Sequence, residues 1–255
     1  MRAIIFLATA AVSLAPMAAS AACDGGVVAA IYDIDGAVFR AEINGVPVAH
    51  SDGEAKGYTG TRRLAPWLLE GGNVVTVETT TAGKGGLEVL MNCPDVDVKA
   101  PGKNPDSYGF IPFDAVGGDE IEFNATQTLD MPYANAVHDG DAGLVDAVRA
   151  LQTAFQSADP EQIADGYAGM IKASAAIGRR MERADVVGMM TEVLPTAEVS
   201  YLDDFEIRSA MGERIRVVTA PDGFTAPIMF KAGPLRLRAG RIWSYMDGRW
   251  LMVAQ

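Results

Sequence analysis

The hydrophobic period changes twice along this chain, and that restricts its fold more than any composition figure. From Gly25 to about residue 130, apolar residues recur mainly at every second position, in short runs bounded by Gly, Asn, Asp or Pro. Between 142 and 194 they recur at helical spacing, and after Pro195 period two returns. Strands, then helices, then strands is not the alternation of a doubly wound α/β protein. The order predicts two domains. An all-β antiparallel sandwich over 23–130 is followed by an α+β domain over 142–255, with three helices and then an antiparallel sheet. Residues 131–141 are the expected linker. A chain of 255 residues is long enough for two such cores.

In the first half the expected strands are 27–34, 37–43, 73–80, 86–92 and 119–126, rich in β-branched and aromatic residues. Asp35-Gly36 and Asn44-Gly45 are tight-turn pairs, since these residue types tolerate positive φ. The stretch 43–78 carries Asn44-Gly45, Gly57-Tyr58-Thr59, Leu68-Leu69 before Gly72-Asn73, and then Val75 and Val77. It resembles part of the jelly-roll sugar-binding domain of β-galactosidase- and β-glucuronidase-type glycosidases. The resemblance implies a jelly-roll-like sandwich, a domain that is often scaffold in those enzymes. Sugar recognition would need aromatic faces for stacking. Tyr58 and Trp67 are the candidates, though Trp67, inside APWLLEGG, reads more readily as a core plug under the sandwich.

In the second half, Leu144, Val148, Leu151 and Phe155 mark one face of a helix over about 142–157. Asp159-Pro160-Glu161-Gln162 is a helix start: Asp caps, Pro suits the first position, and Gln can complete the box. That helix is expected to run to about Met181, and a third covers about 184–194 before Pro195. Strands are expected at 198–202, 205–211, 214–219, 226–231, 234–239, 241–246 and 249–254, the last two joined by a turn at Asp247-Gly248. ALQTAFQSADPEQIADGYA (150–168) and DGRWLMVA (247–254) resemble the ketosteroid-isomerase-like (SnoaL-like) cone fold. That fold serves both enzymes and non-catalytic modules, so it does not decide function. No catalytic role transfers to a numbered position.

Residues 206–255 hold eight bases and four acids in a chain whose formal charge is −12. Arg236 and Arg238 share one side of a strand. Tyr245 opposes Trp250 and Trp243 opposes Met252 across the last hairpin, all on one face. One reading is arginines lying over a solvated sheet with the aromatics in a core or dimer interface. The sharper reading makes Arg236, Arg238, Trp243, Tyr245 and Trp250 a binding platform. It would suit a homodimer through the C-terminal sheet, an acidic or carbohydrate ligand, or the acidic first domain. Residues 22–135 carry 17 acids against 7 bases, and 136–255 carry 16 against 13.

Residues 1–22 read as a secretory signal: Arg2, an apolar run to about Leu14, Pro16, and small residues at 19–21. The expected location is the periplasm or beyond, with no transmembrane segment after signal removal. Cys23 and Cys93 are the two cysteines, and in an oxidising compartment they are expected to form one disulfide. Cys23 at the cleavage boundary also fits a lipidated terminus. The acidic balance excludes a nucleic-acid footprint. No nucleotide or catalytic motif names a cofactor. His138, Asp139 and Asp141 fail the spacing of a Ca²⁺ loop, so no metal is expected, and Asp141 is read as a helix cap. Together these readings favour an exported, non-catalytic binding or assembly protein. The alternatives are a carbohydrate-binding, envelope-glycan accessory protein and a small-molecule hydrolase or isomerase using the C-terminal cone.

Overall fold

The computed structural model describes residues 26–54, 56–91, 102, 104, 107–125, 128–138, 140–233 and 235–254. Among the described residues, eight strands build the first domain: β1 (Val28–Asp35), β2 (Val38–Ile43), β3 (Val46–Asp52), β4 (Lys56–Arg63), β5 (Gly71–Thr81), β6 (Lys84–Leu90), β7 (Ser107–Pro112) and β8 (Gly117–Ala125). They form two antiparallel four-stranded sheets, sheet A in the order β4-β1-β6-β7 and sheet B in the order β3-β2-β5-β8. Alternation then sets the core. Ala29, Ile31, Leu87 and Val89 of sheet A meet Phe39, Ala41, Ile43, Val75 and Val77 of sheet B. Phe39 stacks on Phe113 with ring centroids 4.2 Å apart.

The sandwich is the expected one, with three strands the pattern did not announce. β4 is an edge strand in which no residue is buried, so it has no apolar alternation to read. β3 carries Pro47 at a register shift, tolerable on a sheet edge. β7 contains Gly109, where a Cβ would sit 3.1 Å from Ile121.

The second domain has four helices rather than three: α1 (Leu144–Gln156), α2 (Pro160–Gly166), α3 (Ala168–Ala176) and α4 (Arg183–Val193). The long helix expected from Pro160 breaks at Tyr167, whose backbone (φ −88°, ψ 2°) leaves the helical region. The break lets α3 lie on the final strand, with Gly169 so close that a Cβ would stand 2.5 Å from the Met252 carbonyl oxygen. Asp159 caps α2 as expected, accepting from the amides of Glu161 (3.0 Å) and Gln162 (3.1 Å). Asp141 does not cap α1. The cap is Gly143 (φ 77°), and the Asp141 carboxylate instead takes Arg216 Nε at 2.5 Å.

Seven strands follow: β9 (Glu198–Tyr201), β10 (Glu206–Ala210), β11 (Ile215–Thr219), β12 (Ile228–Ala232), β13 (Leu235–Ala239), β14 (Ile242–Met246) and β15 (Arg249–Ala254). They make two antiparallel sheets, sheet C (β13-β12-β9) and sheet D (β10-β11-β14-β15). The last hairpin has the expected register, Tyr245 opposite Trp250 and Trp243 opposite Met252. Asp247 and Gly248 both have positive φ, as a tight two-residue turn requires.

Sheet D is covered on both faces within one chain. Trp243, Trp250, Met252 and Val218 pack with Leu151, Phe155, Tyr167 and Met190 on the helical side. Ile215, Val217, Ile242, Met246, Leu251 and Val253 join the core cluster of the sandwich on the other. The segment between the domains takes part, since Tyr133 is fully buried and stacks on Trp67 at 5.5 Å.

The expected Cys23–Cys93 disulfide is corrected: no disulfide stands among the described residues. Both positions, and the expected signal segment, lie outside the described residues. Among the described residues no helix is long and apolar enough to cross a membrane.

Candidate functional site

The residues expected to form one platform are divided between two sheets. Trp243 and Trp250 are interior, 2% and 7% exposed, and each indole nitrogen is bonded, to Gly240 O (2.6 Å) and Ala142 O (2.9 Å). Tyr245 is half-buried and meets Trp250 edge-to-face. Arg236 and Arg238 stand on β13 in sheet C. Arg236 is exposed, while Arg238 turns to the first domain and donates from Nη1 to His50 Nδ1 at 2.9 Å. The face of sheet D that carries these aromatics is filled by the helices, and its opposite face by the sandwich. Of the two sugar-stacking candidates, Trp67 is a core plug (9% exposed) and Tyr58 lies exposed on β4, accepting from Arg62 Nη2 at 3.1 Å. His138 bonds the Gly140 carbonyl and packs on Trp250; Asp139 lies outside the described residues.

Two asparagines, Asn73 buried and Asn44 half-buried, hold the part of sheet B that meets the second domain. Asn44 sits at positive φ in the β2–β3 turn and donates to Trp67 O and Asn73 Oδ1, both 2.8 Å. Asn73 accepts from Leu69 N at 2.7 Å and donates to Leu69 O and Gly71 O. The turn is thereby fixed against β10. The Met211 amide donates to Asn44 O at 2.8 Å, and a Cβ on Gly45 would lie 3.3 Å from that of Ala210. Arg208 then takes both oxygens of Glu42 and the Gly45 carbonyl.

Beside this contact the outer face of sheet B stays open as a shallow trough of about 590 Å³. Its walls include Arg40 and Glu42 from β2, Thr76, Glu78 and Thr80 from β5, and Glu120 from β8. These residues come together because strands 30–80 residues apart in sequence are neighbours in sheet B. Arg40 of β2 and Gly118 of β8 flank Glu78 of β5 in one row, and Glu42, Thr76 and Glu120 make the next. Arg40 is paired with Glu78. The trough therefore presents a guanidinium, hydroxyls and carboxylates side by side, with Val116, 66% exposed, at its rim. In sequence each of these residues looks like an ordinary solvated strand position. Only the strand order reveals the trough.

At the covered end of the same face, Phe224 packs on His50 with ring centroids 4.6 Å apart. Burial, with Arg238 and Arg241 close by, lowers the His50 imidazole to about 4. Burial lowers Arg241 to about 10, with Arg238 and Arg208 adding to the effect. On the outer side of sheet A, Glu88 is fully buried and accepts from Tyr32 OH (2.6 Å) and Gly102 N (3.2 Å). Burial and this carboxylate push the Tyr32 hydroxyl well above its usual range.

Comparison of the chain with protein-family models, curated proteins and solved structures gives no match. What defines the protein is its architecture: an antiparallel β-sandwich joined to a domain of four helices packed against two antiparallel sheets.

Proposed function

We propose that this is an exported, non-catalytic binding or assembly protein whose recognition surface is the open trough on sheet B. The observation that carries the reading is how the second domain uses its interior. Sheet D is filled on one face by Trp243, Tyr167 and the helices and on the other by the sandwich, so its aromatics are spent on packing. The interior expected to serve a hydrolase or isomerase is packed with large side chains, which leaves the outer faces for recognition. Export rests on the composition of residues 1–22.

The trough favours a carbohydrate among the ligands. A guanidinium, threonine hydroxyls and carboxylates in one shallow trough match a ligand bearing many hydroxyls, each able to donate and accept. The jelly-roll reading of the first domain supports the same choice, and the cone reading of the second is compatible with a non-catalytic module. The test is electrophoresis of the full-length protein through gels containing soluble polysaccharides or peptidoglycan fragments. Retardation by at least one glycan, with no release of reducing ends, is the expected result. Hydrolysis of a glycan would replace the reading by an enzymatic one.

A further inference from the structure

We propose that the domain junction contains a second, separate site, for a small oxyanion, a phosphate or a carboxylate, at Arg238 with His50, Arg241 and Arg62 around it. Arg238 is half-buried, and its hydrogen-bond partner is the neutral imidazole Nδ1 of His50, 2.9 Å away. Among the described residues no carboxylate lies within 4.0 Å of its guanidinium. Two acids do act on it at longer range, Asp52 and Asp222. Both are engaged locally. Asp222 Oδ1 accepts from the amides of Phe224 (2.7 Å) and Thr225 (2.8 Å) and Oδ2 from the Thr225 hydroxyl (2.6 Å). Asp52 Oδ1 accepts from Glu54 N at 3.1 Å. Two further arginines nearby are committed to carboxylates, Arg208 to Glu42 and Arg40, opposite His50 in the sheet, to Glu78.

The guanidinium therefore keeps N–H groups to offer in a partly desolvated place where positive charge gathers. Because Nδ1 of His50 accepts from Arg238, its ring hydrogen sits on Nε2, a further donor. Arg241 is nine-tenths buried behind it, and Arg62 on β4 is close enough to lower the basicity of His50. Planar guanidinium forks match the geometry of carboxylate and phosphate oxygens, and burial strengthens that attraction. The loop carrying Phe224 closes one side, against the His50 ring.

The experiment titrates the full-length protein with inorganic phosphate, and separately with succinate, at ionic strength held constant with sodium chloride. The His50 ring signals are followed by NMR. A saturable shift and a rise of about one unit in the His50 pKa are expected, because a bound anion favours the imidazolium. Arg238→Gln should weaken binding at least tenfold, about 1.4 kcal/mol, and Arg236→Gln, on the exposed strand position next to it, should leave it unchanged. Response to phosphate alone or to succinate alone supports the site and names its ligand. If Arg238→Gln fails to fold, Arg62→Gln, on an exposed side chain, serves in its place with at least a threefold loss expected. Silence of His50 with both anions at about 10 mM, far above a millimolar Kd, overturns the proposal. So does binding that neither Arg238→Gln nor Arg62→Gln weakens.

Discussion

Arg208 crosses the domain junction to Glu42 with both terminal nitrogens, Nη1 to Oε2 at 3.0 Å and Nη2 to Oε1 at 2.5 Å. The two side chains are 35% and 16% exposed, so the pair is sheltered on its Glu42 side more than a surface ion pair would be. A two-pronged, partly sheltered pair holds position as well as charge. A double-mutant cycle of Arg208→Ala and Glu42→Ala, read by urea unfolding, should give a coupling of about 1–2 kcal/mol, above the few tenths usual for exposed pairs. A coupling near zero would make the contact incidental.

Trp243 belongs to the core and Arg236 to the surface, although both were read from sequence as parts of one platform. Trp243→Ala should cost about 3–5 kcal/mol, the range for deleting a large buried aromatic. Arg236→Ala should change stability by less than about 0.5 kcal/mol. Thermal and urea unfolding of both variants separate these outcomes. A stable Trp243→Ala protein would place the indole outside the core.

Asn73 joins Asn44, Leu69 and Gly71 through four bonds. Removing its side chain leaves the Asn44 amide and the Leu69 N–H and C=O without these partners in a partly buried turn. Asn73→Ala should therefore destabilise by about 2–3 kcal/mol, the cost of orphaned buried polar groups. Asn73→Asp should be nearly as harmful, since it cannot donate to Leu69 O or Gly71 O. Urea midpoints of the two variants check this.

The fold was largely legible because burial leaves a period in the sequence. The α1 face, the Asp159 cap and the Tyr245–Trp250 register all follow from local pattern. The break at Tyr167 was not legible, because the apolar stripe continues through it and only the approach of Gly169 to β15 explains the kink. β4 was invisible because both of its faces are open, so nothing selects apolar residues. The double role of sheet D was hidden for the opposite reason. β11, IRVVT, is buried at all five positions, Arg216 and Thr219 included, and period two cannot say that its two faces serve different cores. The trough shares the problem of β4: Arg40, Thr76, Glu78 and Glu120 are polar residues at outward positions, joined only by long-range strand order.

His50 supplies a pH dependence of definite sign. Its folded value, about 4, lies below the ordinary 6.5, so the folded state binds fewer protons there than the unfolded chain. Its contribution is complete above about pH 6.5 and is lost as pH falls toward 4. Protonation also ends the bond accepted from Arg238 and adds a cation beside Arg238 and Arg241. The melting temperature should fall more steeply from pH 6.5 to 4 in the wild type than in His50→Gln. Parallel curves would show that His50 does not titrate differently in the two states.

The claim that the open face of sheet B recognises a glycan is tested most directly by calorimetric titration of a retarded glycan into three proteins: wild type, Arg40→Gln/Glu78→Gln and Tyr58→Ala. The double variant keeps polar side chains in the trough while removing the Arg40–Glu78 charge pair, and Tyr58 lies on sheet A, outside the trough walls. The expected result is a loss of affinity of at least tenfold in the double variant, about 1.4 kcal/mol, and wild-type affinity in Tyr58→Ala. Wild-type affinity in a folded Arg40→Gln/Glu78→Gln protein, with loss in Tyr58→Ala, would contradict the account and move recognition to the edge of sheet A.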